Sequence, residues 1–276
     1  TGGSVGAHVD HYDVFLLQGQ GHRRWQIDAS VAMGRPQPDL GFEDDVAIKL
    51  LRQFHPTHDW VLGPGDMLYL PPLVPHHGVA EDPCLTFSIG MRAPSSSELI
   101  GDWLDEVLLD ADEAIRYHDE DLAVPADPHE IDVAAMNRVV EALNAIRMND
   151  PDRLGDWFGR FITTYRAAGE VMARGDERPR IELEWDLDHG AALQRHPWAR
   201  MAWRRNHGST DASLFCSGRT LHLPLDDARR LADSPVLDGA AWQALSPAGR
   251  DAVHALYQGG YYALLSDDPD AGDTDA

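Results

Sequence analysis

Three side chains with the chemistry of metal ligands, His8, Asp10 and His76, lie at the ends of apolar, strand-like segments. His8 and Asp10 are one residue apart in GAHVDHYDVF, at positions 6–15. On a β-strand, residues i and i+2 project from the same face, so this imidazole and this carboxylate can supply two ligands to one metal ion. His11 then points to the opposite face, and we interpret it as an outward residue.

The third ligand is predicted in GDMLYLPPLVPHHGV, where a strand ends in two prolines and Pro75 precedes two histidines. His76 directly follows this rigid proline and begins the next strand, so we prefer it to His77. Two histidines and one carboxylate form the facial triad of iron(II) oxygenases, which leaves open coordination positions. An HxD pair alone is a weak signal, because it also occurs as a surface pair at a strand end. The later Pro-rich histidine motif makes a metal site the stronger interpretation.

An arginine is predicted to point into the protein interior. In HRRWQI, Trp25 and Ile27 must face the core, so strand alternation places Arg23 on the same inner face. A buried charge without a partner is costly, and the planar guanidinium matches a carboxylate through two parallel hydrogen bonds. 2-Oxoglutarate carries such a carboxylate at the end remote from the metal. The alternative is a structural salt bridge to an internal Asp or Glu.

Residues 1–93 have short apolar runs bounded by Gly and Pro and no helical period, which is typical of a sandwich or barrel. VFLLQGQGHRRWQI, with a Gly-containing turn between two apolar runs, indicates a hairpin. CLTFSIGMRAP alternates, with Leu85 and Phe87 on one face and Thr86 and Ser88 on the other.

After Pro94 the pattern becomes helical. Apolar residues at helical spacing follow the serines at 95–97, then recur in VAAMNRVVEALNAIRM and in a helix that begins at Asp150-Pro151. These apolar faces are expected to pack on one another or to be buried in a dimer. The first helix is also predicted to have an acidic outer face, which includes Asp105, Glu106, Asp110 and Glu113.

From about residue 178, short strands and short helices are mixed. We interpret IELEWDL, ARMAWRR, SLFCSGRTLHL and YYALL as strands, and LDDARRLAD and SPAGRDAVHALYQ as helices. A late hairpin that turns at Ser217-Gly218 fits a winged-helix-like module. Residues 267–276 contain five acids and no base and are expected to be disordered.

The chain has 276 residues and a formal net charge of −23, from 46 acidic and 23 basic residues. This charge disfavours direct nucleic-acid binding and suits a basic partner; a merely solubilising surface is the alternative. Cys84 and Cys216 lie in apolar contexts and indicate reduced core thiols. No apolar run approaches the ~18 residues of a membrane span, so we expect a cytoplasmic protein without membrane contact.

The segments GGSVGAHVDHYDVFLLQGQGHRRWQI, PGDMLYLPPLVPHHGVAED and SIGMRAPS closely resemble the bacterial JmjC-type ribosomal oxygenases. The resemblance implies a mixed α and β fold. Residues 1–94 would form a double-stranded β-helix (cupin/JmjC) core that lacks its N-terminal part. A helical dimerisation region over 95–170 and a winged-helix-like domain over 178–266 would follow, then the acidic tail.

The resemblance also implies the function. This family uses iron(II), O2 and 2-oxoglutarate to hydroxylate an arginine of a basic large-subunit ribosomal protein, the sixteenth in bacterial naming. The iron(II) ligands implied are His8, Asp10 and His76. Arg23 is implied to hold the C5 carboxylate of 2-oxoglutarate. The family further implies a homodimer.

Thr86 and Ser88 are candidates for lining the same co-substrate pocket. Three other functions stay open on the sequence. A cupin metalloenzyme that does not use 2-oxoglutarate favours more histidine ligands and needs no inward arginine. A histidine-directed ribosomal hydroxylase shares the triad. A non-catalytic scaffold, with the winged-helix-like part binding a partner, has no use for an intact triad.

Overall fold

The computed structural model divides the chain into two compact units, Thr1–Ser95 and Ser96–Ala276. The predicted acidic tail lies outside the residues that the structure describes, as do Asp110 and Glu113. The described residues are 1–30, 41–44, 49–109, 111–112, 114, 116–120, 127, 129–146, 150–167, 169, 171–174 and 177–265.

The described part of the first unit is built from two antiparallel sheets of three strands each. One sheet has the order β4-β1-β6 and the other has the order β3-β2-β5. The strands are β1 (Asp13–Gln20), β2 (Arg23–Ile27), β3 (His58–Leu62), β4 (Met67–Leu70), β5 (His76–Ala80) and β6 (Leu85–Met91).

The core of this unit lies between the two sheets. Val14 and Leu16 of β1 pack with Trp25 and Ile27 of β2, and each is less than 10% exposed. These residues occupy alternate positions of their strands, as the sequence predicted.

The predicted hairpin between β1 and β2 was wrong. β1 pairs with β4 and β6, whereas β2 pairs with β3 and β5. The two strands therefore present their apolar faces to each other across the core instead of lying side by side. Gly21 carries the chain from one sheet to the other with φ +64°, and a Cβ there would lie 2.3 Å from the carbonyl oxygen of Pro83, so only glycine fits.

The second unit begins with three helices, α1 (Ser96–Leu109), α2 (Val133–Asn144) and α3 (Pro151–Thr164). Asp132 caps α2 and Asp150 caps α3, each by accepting hydrogen bonds from backbone N–H groups of the first turn. Such caps satisfy donors that no helical carbonyl can reach.

Part of the acidic side of α1 contacts α3. Asp102 accepts a hydrogen bond from Nε1 of Trp157 at 2.7 Å. One turn later, Glu106 forms an ion pair with Arg160 at 2.6 Å. The prediction that Glu106 belongs to an outer acidic face was therefore wrong, because the basic partner on α3 is not visible in the pattern of α1 alone.

The C-terminal part contains two three-stranded antiparallel sheets, of order β10-β9-β8 and β11-β7-β12, packed with four helices. The predicted hairpin at Ser217-Gly218 is confirmed. The elements are α4 (Arg180–Asp188), β7 (Ala192–Arg195), β8 (Met201–Arg205), β9 (Asp211–Cys216), β10 (Arg219–Pro224), α5 (Leu225–Asp233), β11 (Val236–Asp238), α6 (Gly239–Gln243), α7 (Pro247–Gln258) and β12 (Tyr262–Leu264).

The strand predicted for IELEWDL was also wrong, since this segment lies in α4. The alternation of apolar and acidic residues suggested period two. In the helix, however, only Leu183 and Leu187 are buried, one turn apart, whereas Ile181 and Trp185 are 71% and 61% exposed. Ile181 and Trp185, the other two large apolar residues of α4, do not contribute to the core.

Among the described residues, no helix combines the length and apolar character needed to cross a membrane. Both cysteines are free thiols, Cys84 half-buried and Cys216 buried. Burial raises the pKa of the Cys216 thiol to about 11, so this thiol is inert at neutral pH.

Candidate metal centre and adjoining cavity

His8, Asp10 and His76 come together in the first unit. Their candidate ligand atoms all lie within 4.8 Å of one another. Oδ2 of Asp10 is 4.0 Å from Nε2 of His8 and 3.7 Å from Nε2 of His76. Metal–ligand bonds to imidazole and carboxylate are about 2 Å long, so the triad has nearly the spacing of three ligands that share one ion.

The backbone fixes the two histidines to each other. The N–H of His8 donates to the carbonyl of His76, and the N–H of His76 donates to the carbonyl of His8, both at 3.0 Å. The carbonyl of Asp10 accepts a hydrogen bond from the N–H of Leu73 at 2.7 Å. Leu73 belongs to the Pro-rich turn before β5, so this turn connects the segment of the HxD motif with the strand of the second histidine.

Both imidazoles are held in the tautomer that a metal requires. Nδ1 of His8 lies 3.0 Å from the carbonyl oxygen of Gly6, and Nδ1 of His76 lies 2.9 Å from that of Val74. A carbonyl can only accept, so the ring proton belongs on Nδ1, which leaves the lone pair of Nε2, the ring nitrogen near Asp10, for a metal ion. Burial lowers the pKa of His76, which favours the neutral, ligating form.

The neighbouring histidines have other surroundings. Nε2 of His77 lies 2.8 Å from Oγ of Ser4, and its ring packs edge-on against Phe54. His11 is exposed, as predicted. The structure therefore brings His76, and not His77, to Asp10, because adjacent residues of a strand project to opposite faces.

A cavity of about 380 Å³ adjoins the triad. All six residues that the sequence singled out for the metal and the co-substrate line it. Its wall consists of Val5, Gly6, His8, Asp10, Leu16, Arg23, Trp25, His76, Gly78, Cys84, Leu85, Thr86 and Ser88.

Arg23 enters this cavity without a carboxylate partner among the described residues. One Nη2–H donates to the carbonyl of Gly78 at 3.1 Å, while Nε is buried without a hydrogen bond. The neighbouring Arg24, in contrast, pairs with Asp59 and Glu81 on the outer face of the sheet. Within the described part of the chain, the salt-bridge alternative for Arg23 is not observed, and the Nη groups of its guanidinium keep N–H donors for a ligand.

Gly78 makes room for this arginine, which the sequence analysis did not anticipate. A Cβ at Gly78 would lie 2.7 Å from Nε of Arg23 and 2.6 Å from the ring of Trp25. The sequence does contain a signal for this contact, because a glycine interrupts the strand two residues after the predicted ligand His76. A glycine within a strand often marks the close approach of another group.

Two family models match the chain. Residues 1–99 match the JmjC domain, and residues 145–263 match the ROXA-like winged helix. Residues 1–99 are therefore a JmjC domain and residues 145–263 a winged helix, within the mixed α and β fold that the sequence predicted. The resemblance to the bacterial JmjC-type ribosomal oxygenases is confirmed.

Two curated relatives support this assignment. The chain is 37% identical over 196 residues to the ribosomal protein uL16 3-hydroxylase of Escherichia coli, an alignment that covers 70% of this chain and 50% of the relative. It is 50% identical over 103 residues to a probable ribosomal oxygenase of Haemophilus influenzae. This alignment covers 36% of this chain and 24% of the relative. The chain thus spans about half the length of the E. coli relative.

Solved structures of YcfD, a ribosomal oxygenase from E. coli, have the same fold. One aligns with a TM-score of 0.75 at 29% identity and covers 95% of this chain and 67% of the other. A second, in complex with cobalt and 2-oxoglutarate, aligns with a TM-score of 0.74 at 27% identity and the same coverage.

Replacing His76 by Ala is expected to weaken metal binding by about a hundredfold or more, since even the outer contacts of metal sites are worth 10–100-fold. The matched control is His77→Ala, which removes a neighbouring imidazole that faces away and should leave affinity within about threefold. Titration with Co²⁺, followed by calorimetry and by the visible absorption of the bound ion, measures both. A loss of binding in His77→Ala with full binding in His76→Ala would show that the ligand is assigned to the wrong histidine.

Proposed function

We propose that this chain is the catalytic and winged-helix part of an iron(II)- and 2-oxoglutarate-dependent oxygenase that hydroxylates a ribosomal protein. The main observation is the combination of two imidazoles and one carboxylate with a cavity that contains an inward arginine, which has no carboxylate partner among the described residues. The overall reaction balances as 2-oxoglutarate, O2 and a substrate C–H giving succinate, CO2 and a substrate C–OH. We further propose an arginine of uL16 as the hydroxylated residue.

The donor set of the triad fits iron(II). Nitrogen and oxygen ligands on one side of an ion leave the opposite positions free for small molecules. Bound iron supplies the activation of O2 that is coupled to decarboxylation of the co-substrate. Residues of this chain bind and orient the ion. His8, Asp10 and His76 would be its ligands, and the backbone carbonyls that accept from both imidazoles hold the rings in place.

Arg23 is proposed to bind the far carboxylate of 2-oxoglutarate. Its Nε and remaining N–H groups have no carboxylate partner in the described ranges, and the guanidinium carbon lies 5.1 Å from the centre of the Trp25 ring. The ring limits water access on one side of the charge, and low polarity strengthens a charge-assisted hydrogen bond. This arrangement supports a dicarboxylate co-substrate and disfavours a cupin reaction that does not use one.

The substrate assignment rests on the relatives and on charge. The E. coli relative is a uL16 3-hydroxylase, and H. influenzae has a probable ribosomal oxygenase. A net charge of −23 attracts a basic ribosomal protein and speeds encounter, whereas the same charge repels a phosphate backbone and so supports no direct nucleic-acid binding. The free thiols and a ribosomal substrate support a cytoplasmic site of action.

The helices of the second unit support a homodimer. α2 buries none of its residues, although it carries an apolar stripe. An apolar groove lies between α1 and α3, lined by residues that include Trp103 and Trp157. Burial of these surfaces against a second copy would remove them from water. The large apolar residues exposed on α1 and α2 are Ile100, Leu104, Leu108, Leu109, Val133, Met136, Val139, Val140 and Leu143.

The reaction is tested by incubating the protein with iron(II), 2-oxoglutarate, O2 and recombinant uL16. We expect uL16 to gain the mass of one oxygen atom with one succinate formed per hydroxylation, and Asp10→Ala to abolish both. The value of kcat/KM should fall as salt rises, because the encounter is electrostatic.

Three other outcomes of this experiment would contradict the proposal, and each would indicate a different conclusion. A metal-dependent product without 2-oxoglutarate would identify a different cupin metalloenzyme. Fragment masses that place the hydroxyl group on a histidine would identify a histidine-directed hydroxylase. No modification of uL16 or of any other ribosomal protein would overturn the proposal.

Substitution of Arg23 by Ala is expected to raise KM for 2-oxoglutarate by about ten- to a hundredfold, the value of a charge-assisted contact, with metal affinity unchanged. Arg24→Ala is the matched control, since it removes a guanidinium from the next residue of the same strand, on the outer face. Succinate formation measured against 2-oxoglutarate concentration gives both constants. An unchanged KM in Arg23→Ala would make Arg23 a structural residue.

The dimer proposal predicts that Leu104→Arg converts a dimer to a monomer, because a charge would be buried in an apolar interface. Asp105→Arg, at the adjacent exposed position of the same helix, should keep the dimer. Light scattering coupled to size exclusion at micromolar concentration measures the mass. A monomeric wild-type chain, or a dimer that withstands Leu104→Arg, would contradict this interface.

A further inference from the structure

The fully buried side chain of Gln18 joins three segments that border the cavity. Its Nε2 donates to the carbonyl oxygens of Gln20 and Gly21, at 2.8 and 3.1 Å. Its Oε1 accepts from Oγ1 of Thr86, its cross-strand partner on β6, at 2.8 Å. Both amide protons and the amide oxygen are therefore used, and two carbonyl acceptors fix which end of the amide is the nitrogen.

Two of these hydrogen bonds fix the turn that leads to Arg23. Gln18 lies just before the register shift between β1 and β6, and the turn at Gly21 then carries the chain into the other sheet. The carbonyl of Gly21 is only two residues ahead of Arg23. Since Gln18 anchors this turn from inside, it determines where β2 begins and from which point the arginine side chain enters the cavity.

The third hydrogen bond determines what Thr86 can offer to a ligand. A threonine hydroxyl has one proton, and this proton is given to Gln18. Thr86 can therefore accept a hydrogen bond in the cavity but has no proton left to donate to a carboxylate. The hydroxyl of Ser88 has no partner among the described residues, so it remains able to donate.

We propose that Gln18 is a positioning residue for the co-substrate end of the cavity: it orients Arg23 and makes the hydroxyl of Thr86 an acceptor, so that Ser88 provides the hydroxyl group that can donate to a carboxylate beside Arg23. This inference rests on the proposed function, and it revises the role of Thr86 from carboxylate ligand to support. A role in packing alone would be served by an apolar residue of the same length, because a buried amide is costly unless every polar atom is bonded.

The test measures co-substrate binding without turnover, in the absence of O2 and with Co²⁺ in place of iron. Gln18→Met keeps the volume and removes all three hydrogen bonds. Gln18→Glu, neutral when buried, keeps the bond from Thr86 and one donor to the turn. Thr86→Val removes only the hydrogen bond between the side chains of Thr86 and Gln18. Val14→Ala, in the same strand but with a side chain that is not part of the cavity wall, is the control for a general loss of stability.

We expect Gln18→Met to weaken 2-oxoglutarate binding about tenfold or more, with Co²⁺ affinity changed less than about twofold. Gln18→Glu should fall between Gln18→Met and wild type. Thr86→Val should retain most of the affinity, because the turn still aims Arg23. Val14→Ala should lower the melting temperature without this selective loss.

Three results would overturn the inference. Unchanged 2-oxoglutarate affinity in Gln18→Met would show that the amide does not position Arg23. A parallel loss of metal and 2-oxoglutarate affinity in Gln18→Met and Val14→Ala would show a structural role only. If Gln18→Met does not fold, a Gln18→Glu variant that folds and binds 2-oxoglutarate like wild type decides against it. Failure of the wild-type chain with Co²⁺ to bind 2-oxoglutarate would instead contradict the proposed function itself, and the inference with it.

Discussion

The reciprocal backbone hydrogen bonds between His8 and His76 are the contact on which the site depends. They join a segment at the start of the chain to the first residue of β5, so that two imidazoles from distant parts of the sequence lie with ring centres 4.3 Å apart. Side-chain rotamers alone would not hold two ligands at that spacing. Because each ring also donates to a carbonyl two residues before it, the main chain sets both the position and the tautomer of the ligands.

Backbone geometry also positions the arginine at the other end of the cavity. The guanidinium of Arg23 is placed by a glycine that leaves space for it and by a turn that a buried amide anchors. No carboxylate of the described residues neutralises it. The cavity has the guanidinium of Arg23 at one end and two imidazoles with a carboxylate at the other, and Leu16 and Trp25 form apolar parts of its wall.

The sequence predicted the parts of the site that follow from local periodicity. The two-residue spacing in HVD and the proline before His76 define which side chains share a face, and neither depends on distant contacts. The inward direction of Arg23 followed in the same way from its neighbours Trp25 and Ile27. The winged helix was recognised from the late hairpin and the short helices around it.

Three of the errors and omissions share one cause, which is that the deciding partner is far away in the sequence. The turn at Gly21 has the composition of a hairpin, but strands β4, β5 and β6 offer the better pairing. The acids of α1 look solvated until α3 supplies Arg160. The importance of Gln18 depends on Thr86, 68 residues later, and no local pattern contains that information.

The change of sheet at Gly21 also bears on how the protein folds. β1 and β2 do not pair with each other, so each pairs with strands that lie far away along the chain. β1 pairs with β4 and β6, and β2 pairs with β5. Val14, for example, is opposite Leu70 and Gly90. Such non-local ladders form only after a long loop has closed, and the chain loses conformational entropy before the contacts stabilise it. This slows folding. The metal ligands come together only in the completed unit, so an ion that binds them stabilises the folded chain by mass action. The supply of that metal ion would then affect how long the chain stays folded as well as its chemistry.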